Sequence, residues 1–135
     1  MSTENLVNSI MLKTNFFPIM KEDSSLKSTL DQMSKYGIGV ACFVNKENIF
    51  IGILTDGDLR RLILTKQNPL PALLISSALE FGSKSPITVS ENEKISNAIE
   101  VMDTNKIWDL PVLNSNKNIV GLLNRHNLER HGAKS

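Results

Sequence analysis

Cysteine appears once in 135 residues, at Cys42, and tryptophan and tyrosine once each. A single cysteine excludes an internal disulfide. Its neighbours in Val40-Ala41-Cys42-Phe43-Val44 predict a buried strand in which the thiol acts as a small apolar side chain. No hydrophobic run approaches the roughly 20 residues needed to cross a bilayer, and the N-terminal stretch lacks the long apolar core of a signal peptide. The expected compartment is therefore the cytoplasm, with no membrane partner. Neither sign of charge dominates: 15 basic residues stand against 14 acidic ones, a formal charge of +1. That balance argues against nucleic acid as a partner. Histidine is scarce too, and His126 and His131 have no cysteine or carboxylate constellation around them. They read as helix-terminal or solvent-facing, and no metal and no required cofactor is expected.

What the chain does have is a 41% hydrophobic content, enough for one compact domain or two intimately packed halves. It also has an internal repeat. With Gly52 placed on Gly121, Leu26, Leu30, Met33 and Ile38 fall on Ile95, Ile99, Met102 and Ile107, and Leu54, Leu59 and Arg61 on Leu123, Leu128 and Arg130. One residue inserted near position 90 brings Pro18-Ile19 onto Pro86-Ile87. Each copy predicts the same order, β-α-β-β-α. A short extended piece follows a proline, then comes a helix with apolar residues at helical spacing. Two β-rich runs follow, Val40 to Asn45 and Ile49 to Leu54, or Leu110 to Asn114 and Asn118 to Leu123, and a closing helix begins at Asp56 or Arg125. Gly37 is a natural stop for the first helix, and Ser90 with Glu93 a capping-box start for its counterpart.

The predicted fold class is thus α+β (α/β). Its boundaries are a helical lead-in at 1–13, a first unit at 14–66, a linker at 67–80, a second unit at 81–132 and a tail at 133–135. Within the linker, Pro69 and Pro71 predict a connector, ending in a short helix through Ile75 to Leu79.

The chemistry concentrates in Gly52-Ile53-Leu54-Thr55-Asp56-Gly57-Asp58-Leu59-Arg60-Arg61, which runs from a strand into a helix. Free N–H groups at such a junction suit an anion, and a carboxylate there can accept two ribose hydroxyls. Thr55 and Asp58 equally fit a capping box, and spacing alone leaves both readings open. Gly57 weighs toward a ligand, since glycine in a first turn costs about 1 kcal/mol against alanine. Arg60 and Arg61 have the geometry to pair with a phosphate, with a sugar-acid carboxylate, or with Asp56 or Asp58. Adjacent helical residues diverge by about 100°, so one of them at most faces a ligand, and Arg60 is preferred.

The duplicated pattern resembles a tandem CBS-domain pair, or Bateman module, from about Ile10 to Gly132. More narrowly, Thr55-Asp56-Gly57-Asp58-Leu59-Arg60-Arg61 and the ending Arg125-His126-Asn127-Leu128-Glu129-Arg130-His131-Gly132 are similar to the C-terminal CBS pair of arabinose-5-phosphate isomerases of the KpsF/KdsD type. A similar motif occurs in CBS pairs fused ahead of sugar nucleotidyltransferases. The resemblance implies two units packed through their sheets with pseudo-twofold symmetry, and adenosine-type nucleotides held in clefts between them. It implies that Thr55, Asp56, Gly57 and Asp58 bind the ligand, with Ile38-Gly39-Val40 as the wall for a base and Pro18-Ile19 the opposite edge. Gly39 has a bulky counterpart in the second copy, Trp108, so space opens in one copy where the other is filled. Trp108 itself is expected to be packed or interfacial.

The second site, at Ile87, Trp108, Asn124 and Asn127, is expected to be empty or weak. Asn124 and Asn127 replace the hydroxyl and carboxylate there, and hydrogen bonds without charge assistance are about half as strong. Arg125 and Asn127 stand where His and Asp are more usual. The expected ligands are AMP, ADP, ATP or a CMP-sugar acid, and the expected partners a second copy of the chain and a sugar-phosphate isomerase. No nucleophile–base pair predicts catalysis. Two alternatives are a ligand-free dimerisation module and a fragment of a full-length isomerase, whose catalytic domain has no room in 135 residues.

Overall fold

A computed structural model of the protein describes residues 5–130. They run through β1 (Leu12–Lys13), β2 (Ile19–Lys21), α1 (Leu26–Tyr36), β3 (Val40–Val44), β4 (Phe50–Thr55), α2 (Asp56–Thr65), α3 (Leu70–Ile75), β5 (Ser83–Lys84), β6 (Val89–Ser90), α4 (Ile95–Asn105), β7 (Asp109–Leu113), β8 (Ile119–Asn124) and α5 (Arg125–Arg130). Short 3-10 turns at Val7–Ser9 and Ala78–Phe81 precede β1 and β5. The strands form two four-stranded sheets, ordered β2-β3-β4-β5 and β1-β8-β7-β6. The mixed α+β class expected from the repeat is what the chain adopts.

The two copies agree in detail. β2 runs parallel to β3 and β6 parallel to β7, while β3–β4 and β7–β8 are antiparallel hairpins. Both hairpins carry an irregularity at the same place, between Phe43 and Val44 and between Val112 and Leu113. Both turns are held by an asparagine whose side-chain oxygen accepts two backbone N–H groups: Asn45 from Glu47 and Ile49, Asn114 from Asn116 and Asn118. β3 is apolar and buried along its whole length, Cys42 included, as its run of small and β-branched residues predicts. Leu26 and Met33 of α1, with Leu54 and Leu62, pack around Ala41 and Phe43; Ala98, Ile99 and Met102 of α4 pack with Leu110, Val112, Leu123 and Leu128.

The chain divides in space otherwise than the boundaries 14–66 and 81–132 divide it. One compact unit is Asn15–Pro86; the other joins residues up to Thr14 to those from Ile87 onward. The first residues of the expected second unit, Ser83–Lys84, supply β5, paired antiparallel with β4, and the lead-in supplies β1, paired antiparallel with β8. This exchange accounts for the repeated glycine. A Cβ on Gly52 would meet Ser83 O at 2.6 Å, and one on Gly121 would meet Leu12 O at 2.9 Å. Each fourth strand lies against bare backbone, where a side chain has no room.

Three local expectations need correction. The lead-in is a 3-10 turn and a strand rather than a helix, because Val7 N–H donates to Glu93 O and Asn8 N–H to Glu91 O, contacts no local pattern foresees. The connector helix lies at Leu70–Ile75, ahead of Ile75–Leu79, with Pro71 in its first turn, where a missing N–H costs nothing. Ser90 and Glu93 form no capping box: Ser90 ends β6, α4 starts at Ile95, and its N-cap Lys94 makes no capping bond. Glu93 instead accepts from Asn97 Nδ2 and Lys94 N–H, which together hold its carboxyl below the ordinary value. His131 and the tail at 133–135 lie outside the described residues.

Candidate functional site

The β4–α2 junction folds as a complete capping box. Thr55 has extended backbone angles, and its Oγ1 accepts the Asp58 N–H at 3.3 Å, while Asp58 Oδ2 accepts the Thr55 N–H at 2.9 Å. Asp58 is buried, 8% exposed, and its second oxygen, Oδ1, accepts from the Arg61 guanidinium. The capping and ligand readings are therefore not exclusive. The box fixes the carboxylate, and each of its oxygens retains a second acceptor position.

Around it the predicted residues fall as follows. A Cβ on Gly57 would meet only Thr55 Oγ1 at 3.6 Å and Arg61 Nη1 at 3.8 Å, both ordinary contacts. Nothing among the described residues requires glycine there. Gly39 differs, since its missing side chain does not leave open space: a Cβ would stand 2.3 Å from Asp56 Oδ2, so the Asp56 carboxylate fills the position. Asp56 N–H donates to Gly39 O at 3.0 Å, tying the start of α2 to the start of β3. Ile38 and Val40 flank this contact, Ile38 half-buried and Val40 fully buried. Arg60 is exposed and Arg61 takes the ion pair, a division of roles that the spacing did not foretell.

Ile19, on β2 beside β3, lines with Pro18, Ser28, Asp31 and Tyr36 a hollow of ≈ 320 Å³. A larger hollow, ≈ 640 Å³, is lined by Lys21, Glu22, Asp23, Val44, Asn45, Lys46 and Asn48. It sits at the far end of β3 from Thr55, and size alone makes it no rival to the junction's chemistry.

The second copy has the same backbone with different chemistry. Asn124 Oδ1 accepts the Asn127 N–H at 3.3 Å, reproducing half of the box, and Arg125 N–H donates to Trp108 O at 2.8 Å. Asn127 does not reach back to the backbone of Asn124. Its Nδ2 donates to Ile10 O at 3.0 Å, a bond that an acceptor-only carboxylate cannot make. Arg125 Nη2 pairs with Asp103 Oδ1 at 2.6 Å, Asn124 Nδ2 donates to Asp109 Oδ1 at 2.7 Å, and Trp108 is 63% exposed. Ile87 is exposed at 41%. The side chains of Asn124, Arg125 and Asn127 are thus bonded to the chain's own lead-in and neighbours.

Among the described residues no group of three or more His, Cys, Asp and Glu side chains could hold a metal, and no helix is long and apolar enough to cross a membrane.

The family model for the CBS domain matches residues 7–65 and 78–133. The arabinose 5-phosphate isomerase KdsD of Francisella tularensis is 32% identical over 123 residues, covering 90% of this chain and 36% of that protein. The KdsD of Pseudomonas aeruginosa is 32% identical over 109 residues, covering 81% of this chain and 32% of its own length. The chain thus spans about a third of these relatives (36% and 32%). Among solved structures, CBSX2 of Arabidopsis thaliana in complex with AMP superposes with a TM-score of 0.81 at 19% identity, covering 94% of this chain and 95% of the other. A CBS domain pair in complex with 5′-methylthioadenosine and S-adenosyl-L-methionine gives 0.80 at 19%, covering 96% of each.

Proposed function

Because the chain belongs to the CBS-domain family and carries the domain twice, we propose that it is a non-catalytic regulatory module whose β4–α2 junction binds an adenine nucleotide or a nucleotide-activated sugar such as a CMP-sugar acid. Binding would act on a sugar-phosphate isomerase or a related enzyme of sugar metabolism, in the same chain or another. The observation that carries the proposal is a buried, positionally fixed carboxylate, Asp58, beside Gly57, where a Cβ would make only ordinary contacts among the described residues. AMP bound by a structural neighbour and the kinship with KdsD support the two halves of the reading. Regulation would require a ligand that prefers one conformation of the partner enzyme, and a coupling of about 1–3 kcal/mol suffices.

Calorimetry tests the site. Asp58→Asn keeps an acceptor for the Thr55 N–H but loses the charge, and Asp58→Ala loses both. Each should weaken nucleotide binding at least about tenfold, roughly one charge-assisted hydrogen bond. Unchanged affinity in a folded Asp58→Asn protein would remove Asp58 from the site.

A second reading has its own observation. On α2, Ile63 and Leu64 are 76% and 77% exposed, and Leu70 and Ile75 of α3 are 64% and 81% exposed. Exposed apolar side chains on these helices fit a homodimer interface. Leu64→Glu should then shift sedimentation from dimer to monomer with little change in melting temperature, and a chain monomeric before the substitution would end this reading.

A further inference from the structure

Building on the reading that the β4–α2 junction binds a ribosyl ligand, we infer that Arg61, and not Arg60, is the anion-recognising arm of that site. The site then selects phosphate-bearing nucleotides over neutral nucleosides. Arg61 sits one helical turn beyond Asp58 and donates to its Oδ1, yet its side chain stays 65% exposed. It is held at one end of the guanidinium and open at the other.

Gly57 supplies the room. The space a Cβ would take there lies between Thr55 Oγ1, 3.6 Å away, and Arg61 Nη1, 3.8 Å away. The Thr55 hydroxyl and the Arg61 guanidinium thus border the place where Gly57 lacks a side chain, at the start of a ten-residue helix.

A guanidinium has five donors, and the single bond to Asp58 leaves the others free for a phosphate. An incoming ribose can use the remaining acceptor positions of Asp58 while Arg61 stays in place. A phosphate then gains charge-assisted bonds, whereas a neutral nucleoside crowds the guanidinium and returns nothing. Arg60, about 100° round the helix, is exposed and makes no ion pair among the described residues.

The experiment is calorimetry with AMP, adenosine, CMP and cytidine on the whole chain, with Arg61→Gln, Arg60→Gln and Gly57→Ala beside it. The unsubstituted chain should bind one monophosphate about 10–100-fold tighter than its nucleoside, the worth of one hydrogen bond to a charged group. Arg61→Gln should bring that ratio to within about threefold by weakening the monophosphate alone, with a melting curve to check that loss of the pair with buried Asp58 leaves the chain folded. Gly57→Ala should melt no lower than the parent and still lose affinity for the monophosphate, which separates binding from stability. A ratio that survives Arg61→Gln, or that collapses in Arg60→Gln instead, overturns the inference. Equal binding of nucleoside and monophosphate by the parent overturns it while leaving the ligand-binding reading intact. No binding of any of the four, nor of ATP or a CMP-sugar acid, overturns both.

Discussion

At the residue scale the repeat places different side chains in identical backbone, and the contrast isolates what each contributes. Gly37 and Lys106 are counterparts, and both follow their helices in the left-handed region, at φ 62° and 53°. Both close the same motif: Gly37 N–H donates to Ser34 O and Ile38 N–H to Met33 O, while Lys106 N–H donates to Asp103 O and Ile107 N–H to Met102 O. Glycine adopts this conformation freely and lysine does not, since its Cβ crowds the carbonyl. Lys106→Gly should therefore stabilise the second-repeat unit by about 1 kcal/mol, seen as a higher midpoint in urea at unchanged slope. A lower midpoint would mean that the lysine side chain contributes more than its backbone conformation costs. The same contrast explains what sequence could say about the site. Thr55, Gly57 and Asp58 are adjacent, so their convergence was readable from spacing. The filling of Gly39's space by Asp56 was not, because it depends on how β3 meets the start of α2. Nor was the choice between Arg60 and Arg61, which one turn of helix decides.

At the scale of elements, apolar spacing located α1, the two hairpins and α2 because those patterns are local. The starts of the first helices show where local reasoning fails. Ser25 caps α1, its side chain accepting the Ser28 N–H at 3.0 Å, while at the equivalent place Lys94 makes no capping bond. The Ser90–Glu93 spacing imitates a cap five residues before α4 begins at Ile95. What starts both helices is shared and non-local: Leu26 N–H donates to Ser76 O at 2.8 Å and Ile95 N–H to Asn5 O at 3.1 Å. Each helix thus has a first-turn N–H satisfied by the segment that leads into the fourth strand of its sheet. Ser25→Ala should cost about 1 kcal/mol, and Lys94→Ser should recover a similar amount in the other unit, both read from denaturant midpoints. If Ser25→Ala were neutral, the backbone bond from Leu26 N–H to Ser76 O would be sufficient alone.

For the whole molecule, the consequence is that neither repeat is self-sufficient. The lead-in, although first in the chain, completes the sheet of the second repeat, and Ser83–Lys84, just past the linker, completes the sheet of the first. That arrangement escaped a linear division because strand pairing between distant residues leaves no periodic mark on either partner. Its energetic weight is visible at Val7, fully buried in the core formed by Ala98, Ile99, Met102 and Leu110. Asn127 adds a polar clasp on Ile10 O at 3.0 Å. Removing residues up to Thr14 would bare the edge of β8 at Gly121 and Leu122 and strip Val7 from that core. Burial of a valine side chain is worth about 1.5–3 kcal/mol before the lost strand pairing is counted, a large share of a small unit's stability. Hydrogen exchange on the truncated chain should accordingly show lost protection across 109–124, while 40–55, in the other unit, keeps its own. Protection retained at β8 would show that the second sheet stands on three strands, and that any segment preceding the lead-in has no mechanical hold on it.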